Sequence, residues 1–80
     1  MIKILVVEDD RTIALGMEYA LRQEGYGTVV CYNAETAEEQ ILQESFDLAV
    51  LDVALPDGDG YELCRKIREK SDIPVIFVTA

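Results

Sequence analysis

Ile2-Lys3-Ile4-Leu5-Val6-Val7-Glu8-Asp9-Asp10 begins with a near-continuous apolar run, interrupted only by Lys3, and stops abruptly in three acids. A short apolar run without polar alternation suits a parallel strand covered on both faces. Downstream, Ile13, Ala14, Met17, Ala20 and Leu21 recur three and four apart, which marks one face of a helix. Gly25 can then take the left-handed conformation that ends a helix. Thr28-Val29-Val30-Cys31 reads as a second strand, and Asn33 can cap a second helix whose buried stripe is Ala34, Ala37, Ile41 and Leu42. Leu48-Ala49-Val50-Leu51 is a third strand that ends at Asp52. Pro56-Asp57-Gly58-Asp59-Gly60 is a loop by composition. Tyr61, Leu63, Cys64, Ile67 and the stem of Arg68 form a third helix face. Pro74 opens a fourth strand, Val75-Ile76-Phe77-Val78, which stops at Thr79-Ala80. Strands alternating with helices at these lengths predict βαβ units and a parallel sheet in an α/β fold.

The 80 residues allow at most one domain. With 50% hydrophobic residues the chain carries enough apolar surface to exclude disorder. Its apolar runs are strand-length, well below the roughly 20 residues that span a bilayer. The first run is too short, and lacks the small-residue cleavage site, for a signal peptide. The expected location is therefore the cytoplasm, with no membrane partner. A net charge of −9 repels nucleic acid phosphates, so this segment is a poor DNA binder by itself. Glu35, Glu38, Glu39 and Glu44 read as solvated helix surface. Cys31 and Cys64 are far apart and the chain has no histidine, so zinc fingers and C-x-x-C redox sites are excluded on spacing. The two thiols read as buried or half-buried core residues.

In open parallel sheets, ligands sit outside the carboxyl ends of the strands. Here the first strand ends in Glu8-Asp9, the third in Asp52 and the fourth in Thr79. Asp10 and Asp59, taken alone, read as helix N-caps. Glu8, Asp9 and Asp52 together are harder to explain as strand ends. Two unit charges about 4 Å apart repel by roughly 4 kcal/mol at an effective dielectric of 20. Such a cluster takes up protons or holds a cation. An all-oxygen ligand set favours a hard ion, and few carboxylates with room for water favour Mg2+ over Ca2+. Asp57-Gly58-Asp59-Gly60 imitates the start of an EF-hand loop. The fifth and sixth positions counted from Asp57 are Tyr61 and Glu62, however, so the pattern fails. No G-x-x-x-x-G-K-[ST] or G-x-G-x-x-G phosphate loop is present.

These stretches resemble a known family. Ile4-Leu5-Val6-Val7-Glu8-Asp9-Asp10, residues 51–60 around Asp52, and Pro74-Val75-Ile76-Phe77-Val78-Thr79-Ala80 look like the receiver domains of bacterial response regulators. With Leu63-Cys64-Arg65-Lys66-Ile67-Arg68, the wording is most similar to the OmpR/PhoB-type transcription regulators. The resemblance covers the whole chain. It implies a flavodoxin-like (CheY-like) fold with strand order 2-1-3-4. It implies that Asp52 accepts a phosphoryl group from the phosphohistidine of a sensor kinase. Asp9 would ligate Mg2+ directly and Glu8 through water, and the backbone carbonyl of Ala54 would be a further ligand. Thr79 would be the hydroxyl that hydrogen-bonds the bound phosphoryl group. Pro56 and Gly60 would shape the loop after the acceptor.

A full receiver also carries a fifth strand bearing a lysine, with flanking helices. The expectation for residues 1–80 is thus a partial receiver domain that lacks these parts. DNA would be reached only through an effector domain outside the chain, and the free side of the fourth strand would pair with another chain in a homodimer or edge-strand association. The chain would not be a turnover enzyme. Two other readings compete on the residues. A flavodoxin-like electron carrier would need a Ser/Thr-rich loop after the first strand, where acids stand instead. A phosphatase using Asp52 as nucleophile would usually carry a second acid two residues on, where this chain has Ala54.

Overall fold

The computed structural model describes residues 1–79. Its elements are β1 (Lys3–Val7), α1 (Arg11–Gln23), β2 (Gly27–Cys31), α2 (Ala34–Gln43) and β3 (Leu48–Asp52). Then follow β4 (Ala54–Leu55), β5 (Gly58–Asp59), α3 (Gly60–Arg68) and β6 (Val75–Val78). The four long strands form one parallel sheet in the order β2-β1-β3-β6. This is the expected 2-1-3-4 arrangement, with β6 as the fourth long strand.

The apolar runs divide between the two faces of the sheet because strand side chains alternate. Leu5, Val7, Ala49 and Leu51 point to one face, where Ala37 of α2 and Leu63 and Ile67 of α3 cover them. Ile4, Val6 and Val50 point to the other, against Met17 and Leu21 of α1. A strand buried on both faces has no polar positions, which is why β1 reads as unbroken hydrophobic sequence from Ile4 to Val7.

Each helix starts on a side-chain cap that satisfies otherwise orphaned backbone N–H groups. Asp10 Oδ1 accepts from Thr12 N at 2.9 Å and from Ile13 N at 3.0 Å. Asn33 Oδ1 accepts from Thr36 N at 2.8 Å, and Asp59 Oδ1 from Glu62 N at 2.8 Å. At the far end of α1, Gly25 has φ 87°. Its N–H donates to Arg22 O at 3.0 Å, and the next N–H, of Tyr26, reaches back to Leu21 O at 3.2 Å. That pair of bonds is a Schellman cap, and it requires the left-handed residue that glycine supplies.

Several expectations need correction. Residues 56–60 are not irregular throughout: β4 and β5 pair antiparallel, Ala54 with Asp59 and Leu55 with Gly58, in a tight hairpin that buries Leu55. Two-residue strands leave no periodic pattern to read in sequence. Leu42 is exposed although it was expected in the α2 stripe. Adjacent residues lie about 100° apart on a helix and cannot both face the core. The core is met by the Ala34, Ala37, Ile41 row. For the same reason Ile13 and Ala20 flank the true inner row of α1, which is Ala14, Met17 and Leu21. Tyr61 is likewise exposed, and its ring packs on Phe77 with centroids 4.8 Å apart.

The two classes of position should separate in stability measurements. Ile67→Ala is expected to cost about 2–5 kcal/mol, the range for emptying a closed apolar site. Leu42→Ala should stay within about 0.5 kcal/mol, as surface substitutions do. Urea unfolding midpoints check both, and equal losses would contradict the assignment of the α2 stripe.

Candidate functional site

The parallel register sets the ends of three strands level. Val7 lies opposite Leu51, and Asp52 lies opposite Val78. The residues just past those ends therefore share one edge of the sheet. Glu8, Asp9, Asp10, Ile13, Asp52, Val53, Ala54, Val78 and Thr79 line an open depression of about 660 Å³ there.

Within it, carboxylate oxygens of Glu8, Asp9 and Asp52 all lie within 4.8 Å of one another. Their surroundings differ. Glu8 is buried, with 4% of its surface exposed, and its Oε2 accepts from Asp10 N at 3.1 Å. Asp52 is half-buried, and its Oδ1 accepts from Ala54 N at 3.2 Å. Asp9 is open to solvent. Burial pushes the Glu8 carboxyl above its ordinary value of 4.5, and the neighbouring Asp52 and Asp9 add to the rise. The Asp10 N–H opposes it. Among the described residues, the ion pairs formed by Lys3, Arg22, Arg65 and Lys66 all engage other acids, so none neutralises this cluster.

Glu8, Asp9, Asp52, Ala54 and Thr79 all border the depression, whereas Pro56 and Gly60 do not line it. Thr79 and Ala54 are both exposed at its edge. The carboxylate set fits a hard divalent ion, being all oxygen, clustered within one ion's reach and open to water on the Asp9 side.

The backbone after Asp52 is turned back sharply. Val53 N donates to Val78 O at 3.3 Å, and Gly60 N donates to Val53 O at 2.8 Å. A Cβ on residue 60 would run into Asp52 O, so the return of the chain to the end of β3 requires glycine. Sequence reasoning missed two features. Ile13, Val53 and Val78 give the depression an apolar rim, which only the assembled fold reveals. Asp57 bonds to the start of α2, more than 20 residues away in sequence, a distance over which turn chemistry gives no signal.

Comparison with known proteins follows from this geometry. The family profile described as the response regulator receiver domain matches residues 4–80. Among solved structures, the chain is similar to the non-phosphorylated receiver domain of HemR from Leptospira biflexa. That match has 37% identity and a TM-score of 0.94, covering 100% of this chain and 65% of that one. A CheY-like receiver domain protein from Methanospirillum hungatei matches at 34% identity and TM-score 0.95, covering 99% of this chain and 64% of that one. TrrA from Thermotoga maritima, in complex with Mg2+-BeF, matches at 34% identity and TM-score 0.94, covering 100% and 70%. The chain spans just under two thirds of the length of the first two.

The raised Glu8 carboxyl has a consequence for stability without divalent ions. A carboxyl whose native pKa exceeds its unfolded value binds a proton more tightly when folded. Its contribution to stability therefore falls as pH rises from about 4.5 through the native value. Glu8→Gln keeps an acceptor for the Asp10 N–H and removes that loss. The expected result, in chelator, is a melting temperature above wild type at pH 7, with the gap closing as pH is lowered toward 4.5. A gap that is constant with pH would show that burial and the neighbouring acids do not raise the Glu8 carboxyl.

Proposed function

The chain belongs to the response regulator receiver domain family, and on that premise we propose that it is a phosphoacceptor module of two-component signalling in which Asp52 takes a phosphoryl group from a sensor histidine kinase. The observation that carries this reading is the convergence of Glu8, Asp9 and Asp52 within 4.8 Å at the level ends of β1 and β3. In the step, an Asp52 carboxylate oxygen forms a bond to phosphorus while the P–N bond of the phosphohistidine breaks. The imidazole leaves with the electron pair and takes a proton from water. The hydrogen bond from Ala54 N orients the attacking carboxylate. Phosphoryl transfer of this kind depends on positioning and on neutralising charge at the equatorial oxygens.

In this reading, Asp9, Asp52 and the Ala54 carbonyl would hold Mg2+ directly, and Glu8 would hold it through water. When bound, the ion supplies charge neutralisation for the transferred group and for the acids themselves. The complex of TrrA with Mg2+-BeF supports the same use of the site here. Thr79 then donates its hydroxyl hydrogen to a phosphoryl oxygen. The product replaces the single charge of the carboxylate with about −1.5 to −2 on the phosphoryl oxygens and is retained as an acyl phosphate, so the outcome is a switch rather than turnover.

The wider role follows the OmpR/PhoB-type resemblance: residues 1–80 are part of a cytoplasmic receiver that controls a transcription-regulating effector domain. Among the described residues no helix is long and apolar enough to cross a membrane. Contact with DNA would come through that effector domain alone. Among the described residues, β6 pairs with β3 alone, and Ile76 and Phe77 on it are 51% and 37% exposed. An apolar strand with a free edge pairs with other chains, so the isolated chain self-associates through β6.

Two measurements check these statements. Acetyl phosphate with Mg2+ should place a single phosphoryl group on the chain, mapped by mass spectrometry to Asp52 and absent from Asp52→Asn. An adduct that persists in that variant would sink the assignment. Light scattering should find oligomers of the 80-residue chain that Ile76→Lys converts toward monomer, since a lysine on an edge strand blocks pairing. A wild-type monomer would end the edge-association reading and leave the phosphoacceptor reading intact.

A further inference from the structure

The hairpin that follows Asp52 is anchored inside the domain by Leu55, which is buried, and by Asp59, which caps α3. Its tip is held from outside. Asp57 Oδ1 accepts from Ala34 N at 2.8 Å, and Asp57 Oδ2 accepts from Glu35 N at 3.0 Å. The two oxygens take two successive N–H groups of one helix, which fixes the plane of the carboxylate as well as its position. These are the N–H groups that α2's own cap leaves over. Asn33 serves Thr36 N with its side chain and Ala37 N with its carbonyl. The first turn of α2 is thus completed by a residue from the acceptor loop. The hydrogen bonds from Ala34 N and Glu35 N hold the Asp57 carboxyl below its ordinary value of 3.8.

Asp57 does not line the acidic depression, but Ala54 does, at the other end of the same hairpin. Ala54 is paired with Asp59 and Leu55 with Gly58, so residues 56 and 57 form the turn between the two strands. Releasing the turn frees the end of a ladder only two residue pairs long. We propose that Asp57 is a positioning residue for the acceptor site: it clasps the β4–β5 hairpin to the N-terminus of α2 and so holds Ala54 at the rim of the depression. The inference builds on the reading of that depression as a Mg2+ site.

The test titrates Mg2+ against amide NMR signals of the full chain and four variants. Asp57→Ala removes the clasp. Asp57→Asn keeps one acceptor oxygen. Ala34→Pro breaks the clasp from the other side, because proline is well tolerated at the first helical position but lacks the N–H and sets its ring where Oδ1 sits. Glu35→Gln removes an exposed charge without touching the clasp. Asp57→Ala and Ala34→Pro should weaken Mg2+ binding about threefold to tenfold, somewhat less than the roughly 10–100-fold lost with a direct outer-shell partner. Asp57→Asn should recover part of the loss, and Glu35→Gln should bind as wild type does. Loss in Ala34→Pro separates the clasp from a charge effect, since that variant keeps every acid.

Wild-type affinity in folded Asp57→Ala and Ala34→Pro overturns the proposal. If Asp57→Ala does not fold, Asp57→Asn and Ala34→Pro decide it. If wild type itself shows no saturable Mg2+ binding, the metal reading fails and hydrogen exchange judges the clasp alone. Faster exchange of the Ala54 and Gly60 amides in the variants then supports it, and unchanged exchange overturns it.

Discussion

Parallel pairing of β1 with β3 sets the first strand's acids beside Asp52, and everything else about the site depends on that juxtaposition. Backbone hydrogen bonds fix the register residue by residue, Val7 against Leu51 and Asp52 against Val78. A slip of one residue would turn every side chain of a strand to the opposite face. It would expose the core row and separate the acids at once. The apolar core therefore enforces a crowding of negative charge that the acids themselves resist. Glu8 bears the largest share of this, because it is buried while Asp9 reaches water. An arrangement that is uncomfortable alone is suited to a group that arrives with positive charge. The proposed Mg2+ role follows from this imbalance, and a site of neutral residues would have no comparable need.

Much of this was legible in the sequence, for a physical reason. Strands buried on both faces must be apolar throughout, so Ile4-Leu5-Val6-Val7 and Leu48-Ala49-Val50-Leu51 stand out, and so do the acids that terminate them. The caps Asp10, Asn33 and Asp59 and the left-handed Gly25 are local devices, so each was readable from a few residues. The failures are nonlocal or fine-grained. Leu42 is hydrophobic and near the right period, and only the packing partner decides whether Ile41 or Leu42 turns inward. The β4–β5 hairpin is too short to have a period. The Asp57 clasp joins residues 22 and 23 positions apart, and nothing in a turn sequence names the helix it will cap.

Asp52 stands where two backbone connections diverge. Through Val53 N and Val78 O, the segment after Asp52 is tied to the end of β6, next to Thr79. On β6, Phe77 carries the exposed ring that packs on Tyr61. Through Gly60 N and Val53 O, the same segment is tied to the start of α3, and through Asp57 to the start of α2. A phosphoryl group on Asp52, carrying about −2 in place of the carboxylate's −1, would thus act on two attachments of unequal stiffness. The hairpin side is pinned by a buried leucine, a glycine with no room for a Cβ and three helix-terminal hydrogen bonds. The β6 side is tied to this segment through the bond from Val53 N to Val78 O and carries two exposed apolar residues, Ile76 and Phe77. Displacement follows the softer attachment, because bonds that are already satisfied and packed resist movement. A phosphoryl group held at Asp52 would therefore leave the hairpin in place and draw on Thr79 and the end of β6. On the proposed reading, the stiff side would keep Asp52 oriented, and the soft side would be where a change of state reaches the surface.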